Sequence, residues 1–376
     1  MTTGIEWTDE TWNPIVGCSV VLPGCANCYA MKQAARIEMM HEGRHAPHAK
    51  VGSPEFPATP YAGLTQTSKA GPVWTGKVAL ASDQTLTKPM RWKSGRRIFV
   101  NSMGDVFHES VPDEWIDRVF AVMALAPQHQ FQVLTKRSKR MREYFAVRQT
   151  GDPWAEAADA VADMIGMADY PVVLEPKDIP LLNVWLGVST EDQDRANERI
   201  PDLLATPAAV RFVSAEPLLG PINLRMLKQP NGGAGPWWID ALTVDGGGWF
   251  HDVEQSDPMD DSQVRWNDTE SRLDWVIVGG ESGPGARPMH PDWARAIRNQ
   301  CAAAGVPFFF KQWGEFAPAF DRDFRPISGL PWSGNDQRAV ANGTATAAQS
   351  TKRVGKASAG RLLDGVEHNA FPRDAA

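Results

Sequence analysis

Short apolar runs that each end abruptly in polar residues recur along this chain of 376 residues, and they constrain its fold more than any other feature. Each run has four or five residues rich in Val, Ile and Phe, which is typical of a strand buried on both faces of a parallel sheet. Two early segments, NPIVGC (13–18) and KVALA (77–81), are candidates for further strands. The clear runs are IFVNS (98–102), FQVLTK (131–136), VWLGVST (184–190), VRFVSAE (210–216), WVIVGGES (275–282) and PFFFKQW (307–313).

Segments with helical spacing of apolar residues lie between several of these runs. Residues 112–126 begin with Pro and acids, residues 191–206 contain Pro201 as a new turn or kink, and residues 290–305 end at a glycine. Strands that alternate with helices form parallel βαβ units. About seven such units in one chain predict an α/β fold, a full or partial parallel β/α (TIM-like) barrel with insertions.

The predicted barrel spans residues 1–330. Three stretches break its pattern and are expected to be insertions: 41–76, rich in His, Pro and Gly; 146–182, with an Ala-rich helical segment; and 228–272, rich in Gly and acids. Residues 331–376 begin with a polar stretch rich in Ala, Ser and Thr, and we expect a C-terminal linker followed by a docking tail.

The chain carries a formal net charge of −7 at pH 7. This charge argues against a generic nucleic-acid coat protein, whose affinity comes from neutralising phosphates. It leaves room for a local basic groove at KRSKRMR (136–142), RWKSGRR (91–97) or KRVGK (352–356), and the alternative for each run is a solvated face. The N-terminus has no basic start followed by an apolar run, and no segment approaches ~18 consecutive apolar residues. We therefore expect no signal peptide, no membrane partner and a cytoplasmic location.

Three of the four cysteines lie within eleven residues, as Cys18, Cys25 and Cys28 in the spacing C-x6-C-x2-C. The motif follows the first candidate strand and precedes a predicted helix over 29–40. In a reducing compartment, such a group more often binds metal than forms disulfides. Three thiolates can hold three irons of a [4Fe–4S] cluster and leave the fourth iron open. The motif therefore predicts a cluster site.

Zinc is the main alternative to a cluster, and a loop without metal is a third reading. A structural zinc site normally has four ligands, so it would need a histidine such as His41, His45 or His48. The remaining cysteine, Cys301, falls on the apolar face of a predicted helix and is expected in the core.

Charged residues at the ends of the later strands are candidate catalytic groups. In a β/α barrel the active site lies at the carboxyl ends of the strands. Glu216 and Glu281 follow two of these strands, where a carboxylate can bind substrate or transfer a proton. Lys311 ends the last strand, and it should point into the mouth of the barrel because an unpaired charge in the core is costly.

Several motifs occur in an order that resembles a known superfamily. They are VGC…CANCYA, then NSMGDVFHE, LTKR and GVST after the second, third and fourth strands of the barrel. In this order they resemble the radical S-adenosylmethionine superfamily, in the branch that contains spore photoproduct lyase. The first cysteine gap is three residues longer than the superfamily's usual C-x3-C-x2-C. No cysteine stands at an obvious position for the hydrogen donor of that lyase.

The chain more closely resembles a family of phage and prophage proteins over residues 5–320 and at GKASAGRLLDG near the end. The segments WTDETWNPIVGC, VSAEPLLGPI, VGGESGPGARPMHPDW and FFFKQWGE carry this resemblance. A three-Cys-motif protein found beside that family is therefore a candidate partner.

The superfamily resemblance implies that the open iron binds S-adenosylmethionine, whose reductive cleavage gives a 5′-deoxyadenosyl radical that abstracts hydrogen from the substrate. It also implies contacts to the cofactor's amino group, to its carboxylate (or a substrate phosphate), and to its ribose hydroxyls. Ser102 and Asp105 would contact the amino group, and Lys136 and Arg137 the carboxylate or phosphate. The residues for the ribose hydroxyls are Ser189, Thr190 and Glu191. The alternative is that these residues only cap helices or form turns, because Asp in a turn and the sequence STED are also typical of helix starts.

Three functions remain open from the sequence. The leading hypothesis is a radical S-adenosylmethionine enzyme acting on a nucleic-acid base or nucleotide in phage DNA modification or repair, with a reductant protein of the flavodoxin or ferredoxin type. The second is a non-catalytic, zinc-stabilised nucleic-acid-binding protein. The third is a hydrolase or transferase on the same barrel, using Glu216 or Glu281 and no cluster.

Overall fold

A computed structural model describes residues 3–21, 23–42, 59–148, 152–166, 179–228, 238–243, 271–319, 339 and 343–372. The strands are β1 (Glu10–Trp12), β2 (Ile15–Val16), β3 (Thr65–Ser68), β4 (Gly71–Trp74), β5 (Ala79–Leu80), β6 (Arg97–Val100), β7 (Gln130–Thr135), β8 (Val184–Ser189), β9 (Val210–Ala215), β10 (Leu227–Lys228), β11 (Trp238–Ile239), β12 (Trp275–Gly279), β13 (Phe308–Gln312), β14 (Phe316–Pro318) and β15 (Thr351–Arg353). The helices are α1 (Tyr29–Glu42), α2 (Asp83–Leu86), α3 (Asp113–Ala124), α4 (Ser138–Ala146), α5 (Asp152–Met164), α6 (Gln193–Leu204), α7 (Pro291–Ala304), α8 (Ala347–Ser350) and α9 (Lys356–Ala359).

The central sheet has seven strands in the order β1-β6-β7-β8-β9-β12-β13. The pairs β1–β6, β6–β7, β9–β12 and β12–β13 are parallel, with Trp12 opposite Val100 and Val276 opposite Phe308. Each strand lies beside the next strand of the sheet along the chain, which is the order of a β/α barrel and not of a doubly wound sheet. Within the described ranges β1 does not pair with β13, so the sheet has the topology of a partial β/α barrel.

All six clear apolar runs form strands of this sheet, but the first strand differs from the sequence prediction. NPIVGC and KVALA contribute β2 and β5, which pair with each other antiparallel, Ile15 opposite Leu80, outside the central sheet. The first central strand is β1 instead. It lies at the edge and has only three residues, of which Glu10 and Thr11 are half-buried, so it has no apolar run.

The helices between the later strands agree with their sequence signals. Helix α6 starts after Asp192, whose side chain accepts a hydrogen bond from the Arg195 backbone N–H, and it continues through Pro201. Helix α7 is capped by His290 and ends at Gly305, which adopts the left-handed conformation with φ 66°. The cap of α6 is therefore Asp192, the last residue of the STED sequence.

The chain divides into two compact units. Unit 1 comprises Met1–Leu186 and Pro207–Ala209, and unit 2 comprises Gly187–Thr206 and Val210–Ala376, so the boundary falls inside β8. Much of the predicted insertions and most of the predicted linker before residue 343 lie outside the described residues. No helix within the described ranges combines the length and apolar character that a membrane span needs.

The core of unit 1 joins α3, α4 and α5 through aromatic rings and one buried carboxylate. Phe120 and Trp154 stack with centroids 5.0 Å apart. Asp117 accepts hydrogen bonds from Tyr144 Oη at 2.6 Å and from Arg148 Nε at 2.7 Å. Because Asp117 and Arg148 are both buried, each compensates the other's desolvation.

The C-terminal residues of unit 2 cover the edge strand β13. Phe310 N donates to His368 O at 2.9 Å, and Phe309 forms an antiparallel bridge with Asn369. Trp275 Nε1 also donates to the backbone carbonyl of Ala370. A covered edge offers no unpaired backbone to another chain. Residues 368–370 of the predicted docking tail thus pack on the central sheet of the same chain.

We predict that Asp117→Asn lowers the free energy of unfolding by about 3 kcal/mol, because it removes the buried one of the two acids that pair with Arg148 and leaves only Asp113. Urea denaturation measures this change. Glu114→Gln, in the same helix but exposed, serves as the control and should stay within about 0.5 kcal/mol of the unmodified protein. Equal stability of the two variants would contradict the assignment.

Candidate functional site

The cysteine loop of unit 1, the described residues 17–21 and 23–28, is fastened by its backbone to the loop that follows β6. Gly17 N donates to Met103 O at 3.1 Å, and Gly17 pairs with Gly104 in a parallel bridge. A Cβ at position 104 would lie 2.9 Å from Ile15 O and 3.0 Å from Gly17 O. The close approach of the two loops therefore depends on a glycine at position 104.

The three cysteines of this loop are free thiols. Cys28 N donates to Cys25 O at 3.2 Å, which closes a turn between them. Cys18 and Cys28 pack against a shared apolar cluster that contains Met31 and Met103. The loop thus offers thiols beside an apolar lining.

Within the described ranges, no group of three or more His, Cys, Asp or Glu side chains is arranged to hold a metal ion. Of the histidines suggested for a zinc site, His41 lies at the end of α1, whereas His45 and His48 are outside the described residues. The cysteine ligand set stays a prediction.

Electrostatics link Cys18 to a buried arginine. Burial raises the pKa of Cys18 to about 12, and the charge of Arg137 opposes this rise. Burial alone would lower the pKa of Arg137, but the neighbouring Asp105 carboxylate and Cys18 raise it above its usual value. In the metal-free chain Cys18 is therefore a neutral thiol at pH 7, and metal binding would displace its proton.

The Asp105 carboxylate accepts four hydrogen bonds, three of them from residues at the end of β7 and directly after it. Its Oδ1 accepts from Thr135 Oγ1 at 2.7 Å and from Phe107 N at 3.0 Å. Its Oδ2 accepts from Lys136 N at 3.0 Å and from Arg137 Nη1 at 3.2 Å. An ionised carboxylate has about four acceptor sites. An amino group of a ligand would have to displace one of these donors, so the geometry favours a positioning role for Asp105.

Ser19 and His108 complete this network, and the sequence reasoning did not single them out. Arg137 Nη2 donates to Ser19 Oγ at 2.8 Å. The Ser110 backbone N–H donates to His108 Nδ1, so the neutral ring carries its proton on Nε2, 3.0 Å from Ser19 Oγ. Burial and the charge of Arg137 lower the pKa of His108, which keeps it neutral. Ser19 Oγ thus accepts two hydrogen bonds and retains its own proton to donate.

The other predicted residues of unit 1 lie beside this network. Ser102 Oγ donates to Asn13 Oδ1 at 3.1 Å, and Lys136 is half-buried. The basic run 136–142 is partly neutralised, because Arg140 pairs with Asp113. The signals for Ser19 and His108 were their positions next to Cys18 and inside NSMGDVFHE.

In unit 2, the residues predicted to bind ribose are buried around Arg199. Ser189, Thr190 and Glu191 are each 3% exposed or less. Arg199 Nη1 donates to Ser189 O at 2.5 Å and lies 3.1 Å from Glu191 Oε2. A buried arginine needs such a partner, so the geometry favours an internal role for Glu191.

Glu281 binds Arg287, six residues further along the same loop. Its Oε2 accepts from Arg287 N at 2.8 Å and from Arg287 Nε at 2.9 Å, and its Oε1 accepts from Arg287 Nη2 at 2.6 Å. These hydrogen bonds raise the pKa of Arg287. The arrangement is bidentate and rigid, and it fixes the glycine-rich segment between the two residues.

Glu216, Ser282, Lys311 and Gln312 form a second polar group in unit 2, which we name the Glu216 cluster. Lys311 Nζ lies 2.9 Å from both Glu216 carboxylate oxygens. Gln312 Nε2 lies 3.4 Å from Glu216 Oε1 and 3.3 Å from Ser282 Oγ. Gln312 Oε1 is buried without a hydrogen-bond partner. Since Glu216 and Lys311 are only partly buried, this cluster can exchange hydrogen bonds with a ligand.

The comparisons with known proteins give a family and no characterised relative. A family model described as "Protein of unknown function (DUF5131)" matches residues 2–372. Searches of curated proteins and of solved structures find no significant match.

We predict that Gly104→Ala lowers the free energy of unfolding by about 1–3 kcal/mol, because its methyl group would strike two backbone oxygens. Thermal and urea denaturation measure the loss. Gly4→Ala is the control, since a Cβ at Gly4 meets nothing within 4 Å. Similar stability of both variants would show that the two loops do not need this close approach.

We also predict an energetic coupling of about 0.5–3 kcal/mol between Glu216 and Lys311 in a double-mutant cycle of stability. The cycle uses Glu216→Gln, Lys311→Met and their combination. The exposed pair Lys139–Glu143, with charged atoms 3.9 Å apart, provides the matched control and should give less than about 0.5 kcal/mol. A coupling no larger than that of the exposed pair would contradict the cluster.

Proposed function

The chain belongs to this family of proteins of unknown function (DUF5131), and we propose that it is an iron–sulfur enzyme of the radical S-adenosylmethionine type. Cys18, Cys25 and Cys28 would hold a [4Fe–4S] cluster in unit 1. The proposed substrate is a nucleic-acid base or a nucleotide.

The buried Arg137 guanidinium beside a loop of three free cysteines is the observation that carries this proposal. A cluster held by thiolates adds negative charge to a partly dehydrated loop, and a fixed cation offsets that charge. Arg137 cannot turn away, because Asp105 and Ser19 both accept its hydrogen bonds. Hydrogen bonds and charge around the ligands tune such a centre.

The donor set also supports the proposal. Three thiols fit a cluster with one open iron, whereas a structural zinc site uses four ligands. With S-adenosylmethionine bound there, the cluster would supply a carbon-centred radical for hydrogen abstraction. Met31 and Met103 in the apolar lining would exclude water from this side of the loop.

The chain's own residues would bind and orient the cofactor. We assign Lys136 and the Ser19 hydroxyl to its carboxylate, and Ser102 to its amino group. Asp105 would position Lys136 and Arg137 without touching the cofactor, because its acceptor sites are filled within the chain.

The substrate assignment rests on likeness to the spore photoproduct lyase branch and to phage proteins. Glu216 and Lys311 would bind polar groups of the substrate in unit 2, and Glu281 would hold its loop through Arg287. A flavodoxin- or ferredoxin-type protein would supply electrons, and a three-Cys-motif protein is a candidate partner.

Anaerobic reconstitution with iron and sulfide tests the proposal through iron analysis and visible absorption. We expect about four irons per unmodified chain and less than about one after Cys18→Ser or Cys28→Ser. Cys301→Ala is the control, because Cys301 is buried in α7 of unit 2, and it should retain the cluster. A colourless protein with one zinc per chain would overturn the proposal in favour of a zinc centre.

A further inference from the structure

A cation-rich segment before β6 takes no part in the site described above. Residues 84–96 contain four Lys or Arg and no Asp or Glu, in a chain with 45 acidic and 38 basic residues. We call the group it forms in unit 1 the basic patch. Its members are Lys88, Arg91, Trp92, Lys93 and Arg96.

Most of the charge of the basic patch is not neutralised within the protein. Arg96 pairs with Glu10 at 2.8 Å. Lys88, Arg91 and Lys93 are exposed, and none of them forms an ion pair with an acid in the part of the chain that the structure describes. These three cations therefore offer their charge to a ligand.

Trp92 orders two cations of the basic patch, Lys88 and Arg96. Lys88 Nζ lies 5.1 Å and Arg96 Cζ 5.0 Å from the centroid of its indole ring, which are cation–π distances. The loop before β7 holds the tryptophan itself. Gln128 Nε2 donates to Trp92 O at 3.2 Å, and His129 meets the ring edge-on at 5.8 Å. Preordered cations lose less entropy on binding.

The composition of the basic patch favours a phosphodiester over a membrane. Membrane-surface segments anchor through exposed apolar side chains. Within the described ranges, no large exposed apolar residue lies between residues 83 and 130. Arg91 supplies the planar donor set that matches phosphate oxygens, and the lysines add point charges.

We propose that the basic patch binds the phosphate backbone of a nucleic acid. The proposal deepens the proposed function and rests on it for the ligand class. The patch acts through charge and is distinct from the cysteine loop, so binding should persist without a cluster.

Fluorescence anisotropy with a labelled single-stranded oligonucleotide, titrated over a range of salt concentrations, tests the proposal. We expect Lys88→Gln/Lys93→Gln to weaken binding about tenfold and to reduce the salt slope by about 1.4, since each lost phosphate contact removes about 0.7. The control Lys69→Gln/Lys139→Gln makes the same charge change at two other exposed lysines and should leave both quantities unaltered.

Each other outcome overturns the proposal. Equal weakening by both variants would show an effect of net charge alone. Absence of binding by the unmodified protein would remove the patch as a nucleic-acid site. Stronger binding to phosphatidylserine vesicles, lost in the Lys88→Gln/Lys93→Gln protein, would assign the patch to lipid headgroups. The Cys18→Ser protein separates the two proposals, because it should lose iron and still bind the oligonucleotide.

Discussion

The hydrogen bonds of the buried Asp105 carboxylate hold the loops around the cysteines of unit 1 together. The carboxylate accepts hydrogen bonds from Thr135 and Arg137, which lie 30 and 32 residues further along the chain. Through Arg137 it reaches Ser19, 118 residues before that arginine. Breaking a buried pair by removing one partner costs about 3–5 kcal/mol. The loops after β2, β6 and β7 therefore hold one arrangement in which the thiols, the guanidinium and the apolar lining are fixed together.

Unit 2 also pairs its strand-end carboxylates with cations, but the two pairs differ in how far they are buried. Glu191 is paired inside the unit with Arg199, and both side chains are at most 2% exposed. Glu216 has Lys311 as its partner, but these side chains are 19% and 14% exposed. A fully buried pair stabilises the fold. A partly exposed pair can exchange a hydrogen bond with a ligand at a small free-energy cost. Exposure thus separates two strand-end carboxylates that look alike in sequence.

The sequence predicted the strands that are buried on both faces, because burial requires a continuous apolar run. It missed β1, since an edge strand with Glu10 and Thr11 has no such run. It located the cysteine loop but not the Ser19 and His108 contacts, which form between loops far apart in sequence. The resemblance implied a ribose contact for Glu191, but its pairing with Arg199, eight residues further along in α6, could not be predicted from the pattern of the strand. The contacts of Ser19, His108 and Glu191 join residues of different loops or helices, so a local sequence pattern does not predict them.

Mössbauer spectra of the anaerobically reconstituted protein, with and without S-adenosylmethionine, test whether the three cysteines hold a cluster with one iron open to the cofactor. Three protein thiolates leave one iron of a [4Fe–4S] cluster without a protein ligand. We expect S-adenosylmethionine to change the signal of this one iron and to leave those of the other irons in place. Spectra that are identical with and without the cofactor, or that show no cluster, would contradict the proposed cluster site.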